Sequence, residues 1–369
     1  MIPVTRSVMP AFEEYAEEIR SLWDSRWLTN MGEKHRALEQ KLAELLGIGT
    51  DRLRLFANGH LALEAMLRAA DLPEGAEIIT TPFTFASTTN AIIRCGFTPV
   101  FCDVKREDLT IDPAKVGALI TERTAAILPV HVYGGLCDVP ALEAIAEKHG
   151  LKLFFDAAHA FGDRPAGRSI AEYGDGSMFS FHATKVFHTI EGGCVVFKDP
   201  AMGARLDAEK NFGLGYEKDA YTVAGGNAKM NEFAAAMGLC NLRHLDDAVA
   251  ARQRIAARFR TELGDIPGLT ILNRENDPGC NEIYFPVLAE TERDRDALAA
   301  HLQERGVGAR KYFYPATNEL PYVTERFGHS ETPVAADASR RVLTLPIYPE
   351  LTEEELQTIF SAVRSYFTR

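Results

Sequence analysis

Positive charge is what this chain most lacks. Across 369 residues, 40 Lys and Arg stand against 52 Asp and Glu, a net charge of −12 at pH 7. Proteins that hold nucleic acid need a cationic face against the phosphate backbone, so no polyanionic partner is expected, although one local Arg/Lys cluster would suffice for a small anion. Cysteine is sparse too: Cys95, Cys102, Cys137, Cys194, Cys240 and Cys280 are scattered, with no C-x-x-C pair. That argues against a zinc centre or a redox motif and suits a reducing compartment. No apolar run is long enough to span a membrane, and Met1-Ile2-Pro3-Val4-Thr5-Arg6 lacks the basic-then-apolar order of a signal peptide. A cytoplasmic protein without a membrane partner is expected. The G-x-G-x-x-G fingerprint of dinucleotide sites is missing, as are internal repeats and low-complexity tracts.

What is present is an ordinary globular composition, 46% hydrophobic and 25% charged. The length suggests two domains, or a large one with a smaller appendage. Leu38, Leu42, Leu45 and Leu46 recur at helical spacing and Gly47 closes that helix. Short strands are predicted at 53–56, 77–80, 99–103, 125–130, 151–155, 177–181 and 194–197, alternating with helices such as 61–70 and 140–149. This alternation predicts an α/β fold with a mostly parallel sheet covered on both faces by helices. From about Met230 the texture changes to a long Ala/Arg/Leu-rich helical stretch reaching Leu263, then a strand at 282–288, a helix at 293–305 and an amphipathic helix at 353–367. A large domain over 1–239, including the N-terminal segment, and a smaller C-terminal α/β domain over 240–369 are predicted.

Ligands of such sheets sit at the carboxyl ends of the strands, and four strand ends carry chemistry. Asn58-Gly59-His60 is a glycine turn leading into a helix, which is either an ordinary connection or a phosphate site at the helix N-terminus. Thr84-Phe85 brings an aromatic ring. Asp156 ends an apolar strand, where it either caps the next segment or meets a positive group such as a protonated pyridine nitrogen. His159 is either a core imidazole or the neighbour of a ring. The stretch from Ser177 to Lys185 delivers a lysine from a strand end into a turn that runs to Gly192-Gly193. A metal site from Asp156, His159 and His182 lacks the usual ligand spacing. Together, a phosphate cradle, an aromatic, a buried Asp and a later Lys are what pyridoxal phosphate requires: an amine to tether it, and a carboxylate to keep its ring nitrogen protonated.

The chain resembles the DegT/DnrJ/EryC1/StrS family of sugar aminotransferases, of aspartate-aminotransferase fold type I. The likeness runs from Arg26-Trp27-Leu28-Thr29 to Leu345-Pro346-Ile347-Tyr348-Pro349. It is most specific at Asp156-Ala157-Ala158-His159, at Ser180-Phe181-His182-Ala183-Thr184-Lys185 and at Glu191-Gly192-Gly193. The resemblance implies that Lys185 forms the Schiff base with pyridoxal phosphate and moves the Cα proton, with pyridoxamine phosphate as the alternate form. It implies further that Asp156 pairs with the pyridine nitrogen, that Phe85 stacks on the ring with His159 beside it, and that Gly59, His60 and Ser180 bind the phosphate. Asn227 would reach the phosphate in a neighbouring subunit, which implies a homodimer with shared active sites. One position departs from the pattern, since the family usually has Thr or Ser where this chain has His60. A lysine at 185, where the family's dehydratase branch has histidine, implies transamination.

The segments Asn227-Ala228-Lys229-Met230-Asn231-Glu232 and Ala309-Arg310-Lys311-Tyr312-Phe313-Tyr314-Pro315 are similar to those of members that aminate C4 of dTDP-4-keto-6-deoxyglucose. The implied substrates are L-glutamate, leaving as 2-oxoglutarate, and a nucleotide-linked keto sugar. Lys229, Arg310, Lys311 and Tyr312 are the substrate-binding candidates, the three cations for the diphosphate or the glutamate carboxylate. A C3-aminating or GDP-sugar aminotransferase would share every cofactor residue. A desulfurase would need a catalytic cysteine on a mobile loop, and a non-enzymatic regulator is disfavoured by the acidic charge and the lack of a helix-turn-helix appendage.

Overall fold

The strands of the central sheet are buried along most of their length, because helices cover both faces. In the computed structural model, which describes residues 1–164, 169–214, 220–272 and 279–368, seven strands build this sheet: β1 (Leu53–Phe56), β2 (Glu77–Thr80), β3 (Thr98–Phe101), β4 (Thr124–Leu128), β5 (Lys152–Asp156), β6 (Gly176–Ser180) and β7 (Gly193–Phe197). Their order is β1-β7-β6-β5-β4-β2-β3. β7 alone runs antiparallel to its neighbours β1 and β6, and the other pairings are parallel. All residues of β2 and β7 are buried, as expected of strands covered twice.

Successive side chains point to opposite faces. On β5, Phe154 packs with Leu63, Met66 and Leu67 of the helix Gly59–Ala69. Its neighbour Phe155 packs with Val139, Leu142 and Ala146 of the helix Val139–His149. Leu38, Leu42 and Leu46 cover the other end of the sheet, over Leu53 and Leu55 of β1, and Gly47 closes their helix in the left-handed region at φ 73°.

A second, antiparallel sheet is formed by β8 (Leu269–Ile271), β9 (Phe285–Ala289) and β10 (Val342–Leu345), in the order β10-β9-β8. The helices Leu245–Leu263 and Glu353–Phe367 cover it through Phe259, Leu263, Ile359, Phe360 and Val363. The last helix begins with a reciprocal cap, Thr352 accepting from the Glu355 N–H while the Glu355 carboxylate accepts from Thr352 N–H.

The structure refines two expectations. The helical stretch predicted to reach Leu263 is two helices, Glu232–Leu242 and Leu245–Leu263, separated at Arg243 and His244. The first packs on the helix Glu33–Leu46 and the second on the small sheet, so the chain must turn where it passes from one core to the other. The N-terminal segment, assigned with the large domain, also puts Ile2 into the core of the small sheet. Ile2 bridges to Val307, and its N–H donates to the Gly306 carbonyl (2.7 Å). Among the described residues no helix is long and apolar enough to cross a membrane.

Candidate active site

The carboxyl ends of β5 and β6 and the start of the helix Gly59–Ala69 converge on a cavity of about 350 Å³. Asn58 caps the helix, its side chain accepting from the Leu61 N–H at 2.9 Å. The N–H groups of Gly59 and His60 in the first turn have no acceptor within the helix, and the helix dipole adds positive potential there. Ser180, the last residue of β6, stands against this turn. A Cβ on Gly59 would lie 2.7 Å from the Ser180 Cβ, and one on Gly193 would lie 2.7 Å from the Gly59 Cα. Glycine at both places is what lets a serine, two backbone amides and the end of a strand share one spot.

Asp156 ends β5 and is only 4% exposed. One carboxylate oxygen accepts from Thr88 Oγ1 (2.7 Å) and the other from the Ala158 N–H (3.1 Å). Burial raises its pKa above the ordinary carboxylate value. The Thr88 and Ala158 hydrogen bonds and the nearby Lys185 and His60 pull the other way without cancelling the effect. A cation brought into the cavity would relieve this cost, so the site accommodates a protonated pyridine nitrogen. His159 is buried three residues on. Its Nδ1 accepts from the Tyr133 N–H (3.1 Å), which leaves a ring proton on Nε2. Its ring lies parallel to that of Phe313, centroids 5.8 Å apart, and edge-on to Tyr284 at 5.1 Å. Phe85 precedes the helix Ala86–Arg94 and is 50% exposed at the cavity wall, its ring 6.1 Å from that of Tyr312. A planar ring entering the cavity would cover it.

Lys185 projects into the same space from the turn after β6. Its Nζ lies 5.9 Å from the centre of the Tyr284 ring and, among the described residues, engages no carboxylate. This amine is therefore not committed to a structural ion pair. Tyr284, Tyr312 and Arg310, from later in the chain, close the other side. The Arg310 guanidinium lies 4.5 Å from the Tyr312 ring centre and likewise has no carboxylate partner among the described residues. A guanidinium so placed could pair with an anionic group entering the cavity.

Gly59, His60, Phe85, Asp156, His159, Ser180, Lys185, Arg310 and Tyr312 thus line one cavity. Lys311, next to Arg310, turns away and pairs with Asp296 at 2.5 Å. Lys229 also lies outside, its Nζ bonding Asn211 Oδ1 at 3.0 Å. Asn227 is exposed and bridges to Asn211. Residues that sequence reasoning missed are Thr88, Ser87 and Tyr284, the last immediately before β9, while Glu191, noted only within a motif, also lines the cavity. The apolar run there hid Tyr284. Nothing local marks Thr88, since its role depends on a residue 68 positions away.

The profile of the DegT/DnrJ/EryC1/StrS aminotransferase family matches residues 11–364. The chain is 37% identical over 363 residues to the dTDP-4-amino-4,6-dideoxy-D-glucose transaminase of Shigella dysenteriae, covering 98% of both. It is 36% identical over 360 residues to the enzyme of the same description from Escherichia coli, covering 96% of this chain and 95% of that one. Among solved structures, DesI in the presence of its TDP-sugar product superposes with a TM-score of 0.93 at 34% identity, over 100% of this chain and 93% of the other.

Proposed function

This chain belongs to the DegT/DnrJ/EryC1/StrS aminotransferase family, and from that premise we propose that it transfers the amino group of L-glutamate to C4 of dTDP-4-keto-6-deoxyglucose, giving dTDP-4-amino-4,6-dideoxyglucose. It is a transaminase of fold type I that uses pyridoxal phosphate. The observation that carries the activity is Lys185 and Asp156 facing one cavity beside an open helix N-terminus. The two relatives above support the choice of sugar.

When bound, pyridoxal phosphate supplies the electron sink that makes loss of the Cα proton feasible and carries the amino group between substrates. Lys185 would hold it covalently through Nζ and, once displaced by the donor, would carry the proton between the substrate carbon and the cofactor in each half-reaction. Asp156, fixed by Thr88 and Ala158, would keep the ring nitrogen protonated. The first turn of the helix Gly59–Ala69 and Ser180 would bind the phosphate. Phe85 and His159 would flank the ring, and Tyr284 and Tyr312 would exclude water from the reacting atoms. Arg310 would bind the glutamate carboxylate or the sugar-nucleotide diphosphate.

The active unit we propose is a cytoplasmic homodimer. Asn227 lies outside its own cavity, and Phe212, Tyr221 and Val223 nearby are exposed apolar side chains that a second copy would cover. There Asn227 would complete the phosphate site of the partner subunit. Protein supplied with pyridoxal phosphate, L-glutamate and dTDP-4-keto-6-deoxyglucose should yield 2-oxoglutarate and an amino sugar nucleotide with the amine at C4, read by mass spectrometry and NMR. Amination of a 3-keto or GDP-linked sugar in its place would refute the substrate assignment.

A further inference from the structure

His60 lines the cavity at the helix start, and both of its ring nitrogens meet protein groups. Nε2 lies 3.0 Å from Glu64 Oε1 and Nδ1 lies 2.8 Å from Ser87 Oγ. Glu64 is buried and is already the acceptor for the guanidinium groups of Arg94 and Arg68. A carboxylate so used can only accept, so the hydrogen between it and His60 sits on Nε2. The state of Nδ1 then decides which way the serine hydroxyl faces. With a neutral ring, Nδ1 accepts, Ser87 donates its hydrogen to His60, and oxygen lone pairs face the cavity. With a charged ring, Nδ1–H donates to Ser87 Oγ and the hydroxyl hydrogen is free to point into the cavity that both residues line.

We propose that Ser87 is a phosphate-binding hydroxyl of this enzyme, aimed by His60 acting as an imidazolium between Glu64 and Ser87. The inference rests on the cofactor reading above. It accounts for a bulky histidine at the start of this helix: the hydroxyl is supplied from the helix Ala86–Arg94, and His60 adds a charge complementary to the phosphate. Other charged or titratable groups line the same cavity as His60 or share its partner Glu64. They are Arg68 on its own helix, Arg94 across Glu64, Asp156 from β5, and His182, Lys185 and Glu191 from the segment joining β6 to β7. Because the phosphate favours the charged ring, its binding draws a proton from solvent onto His60, and by reciprocity acid strengthens cofactor binding.

The test is calorimetric titration of pyridoxamine phosphate, which forms no covalent bond, into apoprotein at about pH 8, where histidine is ordinarily neutral. Two buffers of different ionisation enthalpy report the protons taken up. The wild type should take up about one proton more per cofactor than His60→Thr, in which a threonine hydroxyl keeps binding measurable. Protonation of the pyridine nitrogen opposite Asp156 occurs in both proteins and cancels. Ser87→Ala should bind roughly tenfold more weakly, the loss of one hydrogen bond to a charged group, and take up fewer protons than the wild type. Equal uptake by wild type and His60→Thr, or unchanged affinity in Ser87→Ala, would overturn the relay while leaving the cofactor assignment intact. Failure of the wild type itself to bind pyridoxamine phosphate would overturn the cofactor assignment and the relay with it.

Discussion

Gly59→Ala should destabilise the protein through one contact, and the geometry says which. The added Cβ would lie 2.7 Å from Ser180 Cβ, 2.9 Å from Ser180 Oγ and 3.1 Å from Ser180 Cα. Carbon atoms in contact prefer about 3.5–4.0 Å, so the helix start and the end of β6 must separate by several tenths of an ångström. Gly193 limits this movement, because it too approaches Gly59 closely. Overpacking of this kind costs about 1–3 kcal/mol. The helix propensity gained on replacing glycine, at most about 1 kcal/mol in a helix interior, offsets only part of it. The second half of the experiment is Gly59→Ala combined with Ser180→Gly. That variant deletes the two shortest contacts and keeps the 3.1 Å approach to Cα, so a rescue of about half the loss is expected, a coupling of roughly 1 kcal/mol in the double-mutant cycle. Melting temperatures of the four proteins measure it, each kcal/mol moving a domain of this size by about 2–4 °C. Additive single effects, or a Gly59→Ala protein as stable as the wild type, would show that the close approach of Gly59 and Ser180 does not limit the site.

Other predictions concern the charged groups. Lys185→Ala should abolish turnover and leave no borohydride-reducible link to the cofactor; turnover that survives would remove this lysine from the chemistry. Arg310→Gln should raise KM for one substrate by roughly tenfold to a hundredfold with kcat little changed, the loss expected for a charge-assisted bond, and steady-state kinetics with each substrate varied will show which. Burial raises the Asp156 pKa in the folded apoprotein above its ordinary 3.8. Between these two values the folded state binds more protons than the unfolded one, so this group makes the apoprotein less stable as pH rises through that window. Asp156→Asn should therefore gain on the wild type in apoprotein melting temperature as pH increases from about 4. A difference that stays constant with pH would contradict the burial assignment.

What the sequence determined by itself was local. Strand and helix positions, the capping glycine Gly47, the turn at Asn58-Gly59 and the placing of Asp156 and Lys185 at strand ends all follow from periodicity and turn chemistry within a few residues. The last helix, Glu353–Phe367, was legible for the same reason: its apolar stripe and its capping box lie within it. The break in the helical stretch before Leu263 was not legible because each of its halves is helical in its own right. Only the need to serve two separate cores breaks the chain at Arg243–His244.

Tertiary structure decided the partnerships. Thr88 holds Asp156 across 68 positions and Ser87 meets His60 across 27. Tyr284 reaches Lys185 from the segment just before β9. Of two adjacent cations with the same promise in sequence, Arg310 faces the cavity while Lys311 is held by Asp296. Such outcomes depend on which groups are brought within about 3 Å of one another and shielded from water, where a hydrogen bond or an ion pair is worth most. Residue type and spacing select candidates for the chemistry, and only the packed chain assigns each its partner.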